Sequence, residues 1–185
     1  MTRSAPSPIT TRTEPEGQDA LSTEQALAWF DSLEPVTVES ILGAWEGSSV
    51  PTGHPMDGSL EALCWHGKRF DSAEEVHPLI FRAADGSLFS VDPTRLPSKP
   101  ASDPAVLGNP LVAALMRRLM LPLARTTASS ARLRMVAHRG QVSAAMVYDK
   151  LPIVDVFRRI DDDTLLGVMD MKGSPQPFFF RLRRC

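Results

Sequence analysis

His54 and Asp57 stand three residues apart in Pro51–Gly58, a loop whose two glycines and two prolines fix an unusual backbone path. A histidine beside a carboxylate makes a general base near neutral pH. The same pair also suits a purely structural role, with Asp57 capping a turn and His54 bonded to backbone. A second group is Trp65-His66-Gly67-Lys68-Arg69-Phe70, where Trp65 and Lys68 would suit an anionic or carbonyl-bearing ligand. Exposed cations flanking a core Trp65 account for it equally well. The third is Asp155, which shares a strand face with Ile153 and Phe157. A carboxylate so placed is buried, needs a partner, and has a raised pKa. It could be an acid/base group, an anchor for His54, or half of a structural pair with Arg158 or Lys172. Asp170, between Met169 and Met171, raises the same question. Tyr148 is the chain's single tyrosine and a candidate donor in the same pocket. The catalytic candidates are therefore His54, Asp57, Asp155 and Tyr148.

Metal and cofactor chemistry find little support. Cys64, His66 and His77 lack a fourth ligand at zinc-site spacing. There is no P-loop, dinucleotide fingerprint or serine elbow. Cys64, between Leu63 and Trp65, reads as a packed thiol. No metal and no cofactor are expected.

The elements that must hold these groups follow from periodicity. Ser22 and Gln25 have capping-box spacing ahead of Leu27, Phe30 and Leu33, which predicts a helix ended by Pro35 and a further turn from Thr37 to Ile41. This helical hairpin is expected to plug or cover a sheet. Residues 60–65 are ambiguous between helix and strand. Asp85-Gly86 joins two short strands, 79–83 and 87–91, as a hairpin. Pro110 to Leu123 predicts a helix packed through Val112, Leu115, Met116, Leu119 and Leu123, kinked or ended at Pro122. Alternation from Arg132 to Arg183 reads as a meander of about five strands. With three or four earlier strands, this suffices for a closed antiparallel barrel of about eight, a size that can hold one small ligand. The expected organisation is a disordered tail over 1–21, a helical hairpin and first barrel strands over 22–92, a proline-rich connection and helix over 93–130, and the completing meander over 131–185.

The chain has 185 residues, 43% hydrophobic and 23% charged, with a formal charge of −2. That total argues against a general nucleic-acid or membrane-surface binder. No apolar run approaches a membrane span or signal peptide, and two cysteines form no disulfide framework, which points to a reducing, cytoplasmic setting. Residues 14 to 75 hold thirteen acids and two bases, whereas Arg117 to Arg139 holds six arginines and no acid. The acidic front is expected to dock on the basic middle.

Gly43-Ala44-Trp45-Glu46-Gly47, followed by Thr52-Gly53-His54-Pro55, Asp57-Gly58, Trp65, Gly67-Lys68-Arg69-Phe70 and Pro78-Leu79, resembles the GXWXG domain. Ala131 to Arg134, Gly140, Met146 to Asp149, Pro152-Ile153, Asp155, Phe157-Arg158 and Gly167 to Asp170 resemble the domain of unknown function DUF4334, which usually follows it. The resemblance covers about residues 24 to 184 and implies no catalytic residues. A looser similarity is to lipocalins, whose first strand begins with Gly-x-Trp after a short helix. That similarity implies a structural Trp45 across a closed barrel end.

The expected fold is thus mainly β (α+β), a lipocalin-like barrel with flanking helices. Its expected interior of Trp65, Lys68, Met135, Met146, Phe157, Met169, Phe178 and Phe180 would bind a small hydrophobic metabolite, since methionine adapts to irregular shapes. One alternative is a cofactor-independent isomerase, cyclase or hydratase using a His/Asp acid–base pair. Another is an assembly module pairing through the Phe178–Phe180 strand. A hydrophobic small molecule is the expected partner, not nucleic acid or membrane, with a homodimer left open.

Overall fold

The alternating stretches form ten strands in the computed structural model, which describes residues 20–96 and 109–185. They are β1 (Glu34–Pro35), β2 (Gly43–Ser49), β3 (Trp65–Phe70), β4 (Val76–Arg82), β5 (Leu88–Ser90), β6 (Ala131–His138), β7 (Gln141–Tyr148), β8 (Ile153–Asp161), β9 (Thr164–Met171) and β10 (Phe178–Arg184). Eight of them close an antiparallel barrel in the order β2-β3-β4-β6-β7-β8-β9-β10, with β10 returning to β2. The barrel draws on both halves of the sequence. Their direct join is narrow: β4 meets β6 only at Val76 and Ala131, and β5 occupies the far end of β4. Short helices complete the fold: α1 (Thr23–Ser32), α2 (Ser59–Ala62), α3 (Pro110–Leu115) and α4 (Leu121–Leu123).

Helix α1 begins where its capping box places it. Ser22 Oγ accepts from the Gln25 N–H at 3.1 Å and Gln25 Oε1 from the Ser22 N–H at 2.8 Å. The helix covers the outside of the barrel, burying Trp29 and Phe30 in a cluster with Ala145, Val156, Leu166, Val168 and Phe179. Phe179 is therefore fully buried, and β10 is paired on both sides, by β2 and β9. The expected free edge at Phe178–Phe180 does not exist. Pro35 does not mark the helix end either, since α1 stops at Ser32 and Pro35 pairs in β1.

One barrel end is plugged. Strands β7 and β8 pair only from Ala145 to Val147, and β1 then takes over β8 opposite Arg158 and Arg159. Ser143 fills the fork, donating to the Phe157 carbonyl at 2.6 Å and accepting from the Val36 N–H at 2.9 Å. Behind β1, Val36 and Ile41 pack against Trp45 in the inner core. The Trp45 indole N–H donates to the Ile41 carbonyl at 2.7 Å, and the Arg184 guanidinium lies 4.2 Å above its ring. Trp45 is the closing residue that the Gly-x-Trp start implied.

The split at β7 corrects one expectation. Met135 keeps the inward phase of Leu133, but it sits on the β6–β7 hairpin beyond the fork and is 46% exposed. The helical segment corrects another in part, since of its expected stripe Val112 and Met116 do pack on the core. Its buried residues are Ala113, Met116 and Leu121, whereas Leu115, Leu119 and Leu123 face outward with Leu111. Between α3 and α4 the chain widens into a π turn, Met116–Met120, in which the Leu121 N–H reaches the Met116 carbonyl. That turn accommodates Pro122, which has no N–H and would crowd a regular helix. The acidic front meets the basic middle through Asp31–Arg139 and Glu74–Arg134 pairs at 2.6 and 2.7 Å. The expected tail over 1–21 and the proline-rich connection lie mostly outside the described residues.

Candidate functional site

Strand alternation alone would put Trp65 and Lys68, three apart, on opposite faces of β3. The β3–β4 register shifts on both sides of Gly67, and the two side chains turn inward together. Gly67 permits this because its φ of +148° and its approach to β2 exclude a side chain: a Cβ would lie 1.9 Å from the Trp45 carbonyl oxygen.

Lys68 Nζ then donates to Asp155 Oδ2 at 2.8 Å and to the Pro78 carbonyl at 3.3 Å, and lies 4.8 Å from the Phe180 ring centroid. The lysine and aspartate side chains are 4% and 1% exposed, so this is a desolvated ion pair. Burial pushes the Asp155 carboxyl above its usual range, with Lys68 working against that shift. The Tyr148 hydroxyl is raised well above its ordinary value, first by burial and then by the Asp155 charge. Tyr148 is thus a protonated donor at neutral pH. Asp155 Oδ1 and Trp65 Nε1 are buried with no hydrogen-bond partner among the described residues.

These groups line an inner cavity of about 590 Å³, away from the plugged end. Trp65, Lys68, Met169, Phe178 and Phe180 line it as expected, together with Tyr148 and Asp155. Met146 and Phe157 lie in the same buried core without lining the cavity. Leu79, Phe81 and Ile153 also line it, and strand phase alone could have placed them there. Met56, Leu60 and Leu96 contribute from the connections between strands, Leu60 from the single turn of α2, where no periodicity points to them. A second cleft, about 670 Å³, is bordered by His66, Arg69, His77 and Arg125. Its polar groups already have neighbours: Arg69 holds Asp71, His77 contacts Ser90, and Arg125 stacks on Phe89.

His54 and Asp57 are absent from the inner cavity's lining. Asp57 Oδ2 accepts from the backbone N–H groups of Thr52 and His54, each at 2.9 Å, and does not orient the imidazole. His54 Nδ1 accepts from the Met56 N–H at 3.0 Å, which ties the imidazole to its own loop. Its ring packs 5.4 Å from Phe178. The loop is therefore a brace behind a cavity wall. Asp155 pairs with Lys68 rather than with His54, Arg158 or Lys172, and Arg158 instead lies buried over Phe30. Among the described residues no group of three or more His, Cys, Asp or Glu side chains could hold a metal.

Burial holds the pKa of His54 below 6.5, outweighing the opposing effects of Asp57 and Gln176, and burial likewise depresses His66, His77 and His138. Below that pH the unfolded chain binds protons that the folded chain refuses, so these histidines favour folding above about pH 6.5 and lose that contribution as pH falls. The unfolding midpoint is expected to drop between about pH 7 and 6, measured by thermal melts, and His54→Gln is expected to flatten the slope.

A closed eight-stranded antiparallel barrel, plugged at one end and holding an apolar cavity with one buried ion pair, is the class of protein that this fold and site define. The GXWXG protein family matches residues 28–86, and the domain of unknown function DUF4334 matches residues 129–184. A crystal structure of a protein from Thermomonospora curvata is similar over 90% of this chain and 89% of that one, at 36% identity and a TM-score of 0.66. The chain belongs to the family in which a GXWXG domain is followed by a DUF4334 domain. No curated protein matches the sequence.

Proposed function

We propose that the barrel binds a small hydrophobic metabolite carrying one hydroxyl group, with its apolar body among Leu79, Phe81, Met169, Phe178 and Phe180. The observation that carries this reading is the unshared, buried Asp155 Oδ1 beside Lys68 in an otherwise apolar cavity. A buried polar atom left unpaired is costly, and a ligand hydroxyl donating to Asp155 would remove that cost. A cavity of this size suits a ligand of drug-like dimensions. The free thiols Cys64 and Cys185 fit a reducing, cytoplasmic setting.

The test is native mass spectrometry and solvent extraction of the purified protein. A retained apolar molecule with one oxygen function is expected, and Met169→Trp, which fills the cavity, is expected to abolish its retention. Recovery of no ligand from any source, or unchanged recovery from Met169→Trp, would sink the reading.

A second reading, a cofactor-independent isomerase, cyclase or hydratase, is favoured by the raised pKa of Asp155, which suits a carboxyl that both gives and takes a proton. Lys68 and Tyr148 would polarise a carbonyl. Under this reading Asp155→Asn abolishes turnover of the extracted compound while His54→Gln retains it. Equal turnover by Asp155→Asn ends it.

A further inference from the structure

The helical segment from α3 to α4 carries large apolar side chains on several sides, interrupted only by Arg117 and Arg118, a pattern normally found in helices buried all round. Here only one side is covered. Ala113, Met116 and Leu121 are buried, while Leu111, Leu115, Leu119 and Leu123 are 78%, 57%, 55% and 75% exposed. Pro110 and Pro122 stand exposed on the same segment. Soluble monomers seldom leave so continuous an apolar row in water without a partner for it.

The charge around the row indicates what covers it. From Pro104 to Tyr148 the chain has six arginines and no acidic residue, and three of them, Arg132, Arg134 and Arg139, are paired with Asp149, Glu74 and Asp31 from outside that stretch. Arg118 lies exposed within the leucine row and Arg125 just beyond it, and neither has an ion-pair partner among the described residues. The formal total of −2 hides the positive charge that these unpaired guanidiniums place beside the row. A second copy docking through the same face would bring a second Arg118 into the interface and no acidic residue from the 104–148 stretch to meet it. An anionic lipid surface meets both requirements, taking the leucines among its acyl chains and the guanidiniums among its phosphates. No helix among the described residues is long and apolar enough to cross a membrane, so the contact is peripheral.

We infer that the outward face of the 110–123 segment is a docking surface for an anionic phospholipid membrane. The face lies close to the cavity. Arg117 donates to the Ala62 carbonyl at the end of α2, and the neighbouring Leu60 and Leu63 line the cavity. Docking would hold the barrel at the interface where apolar metabolites partition, although the inference stands whether or not the cavity carries a ligand.

The full chain is to be co-sedimented with phosphatidylcholine vesicles, with and without one-third phosphatidylglycerol, at low and high salt. Binding to the anionic vesicles is expected, with weakening by salt. Leu115→Glu/Leu119→Glu is expected to lower the bound fraction about tenfold or more, and Arg118→Glu to lower it less. Because these side chains are exposed, the unfolding midpoint should stay unchanged, which separates lost docking from lost fold. Equal binding to neutral vesicles, or no binding to either, overturns the inference. So does velocity sedimentation showing a dimer that Leu115→Glu/Leu119→Glu dissolves, which would assign the row to a second copy.

Discussion

Lys68→Met is expected to destabilise the barrel by about 3–5 kcal/mol, because it leaves the Asp155 charge buried with no cation. Asp155→Leu should cost a similar amount, stranding Lys68 among Trp65 and Phe180. The double variant Lys68→Met/Asp155→Leu removes both charges and keeps the bulk of the side chains. It is expected to recover most of the loss, since two apolar groups of similar volume avoid the desolvation of both ions. Denaturant titration of the four proteins gives the coupling directly. If the single losses simply add in the double variant, the two side chains are not coupled. The same double variant keeps the apolar cavity and loses its polar anchor, so its failure to retain the extracted ligand would separate recognition from stability. A pair whose removal restores stability has a use other than holding the fold together.

That pair also shows how much of the site was legible before the structure. Asp155 was placed correctly by phase alone: it alternates with Ile153 and Phe157, and its need for a partner follows from burial. The partner was not legible, because the irregular register around Gly67 resets the phase of β3 and turns Lys68 inward beside Trp65. No period-two reading contains such an irregularity. The β4–β5 hairpin and the capping box of α1 are legible because local interactions make them, whereas barrel size follows from the number of strands and its closure from the long-range β10–β2 pairing. Of the stripe expected on 110–123, Val112 and Met116 face the core while Leu115, Leu119 and Leu123 face outward, since a helix with leucines on several sides does not declare which face is covered. His54 and Asp57 had the right chemistry for a base and its anchor. In so short a loop, however, two backbone N–H groups reach the Asp57 carboxylate, and the Met56 N–H takes Nδ1 of the ring.

The Gly-x-Trp-x-Gly pattern yields the other large effect, together with Gly67. Gly43, Trp45 and Gly47 share one face of β2, so the pattern places one large ring between two vacancies on the inner wall. Trp45 fills the plugged end. At Gly47 a Cβ would lie 2.1 Å from the Trp65 ring, so the missing side chain is what lets Trp65 lie flat against the wall and leaves the space beyond it hollow. Gly47→Ala is expected to push that ring into the cavity, costing about 1–3 kcal/mol as overpacking does and weakening ligand retention. Gly67→Ala should be far worse. Its Cβ would meet the backbone of β2, 1.9 Å from the Trp45 carbonyl oxygen and 2.9 Å from the Gly47 nitrogen, and its φ of +148° is hostile to any side chain. Neither β2 nor β3 can shift while both remain in the closed ladder, so a loss beyond about 4–5 kcal/mol is expected, enough to leave little folded protein. Circular dichroism and soluble yield of the two variants check this. A folded Gly67→Ala with an unchanged melting midpoint would show that the close approach of β2 and β3 is not required. A destabilised Gly47→Ala with undiminished ligand retention would show that Trp65 does not set the cavity's shape.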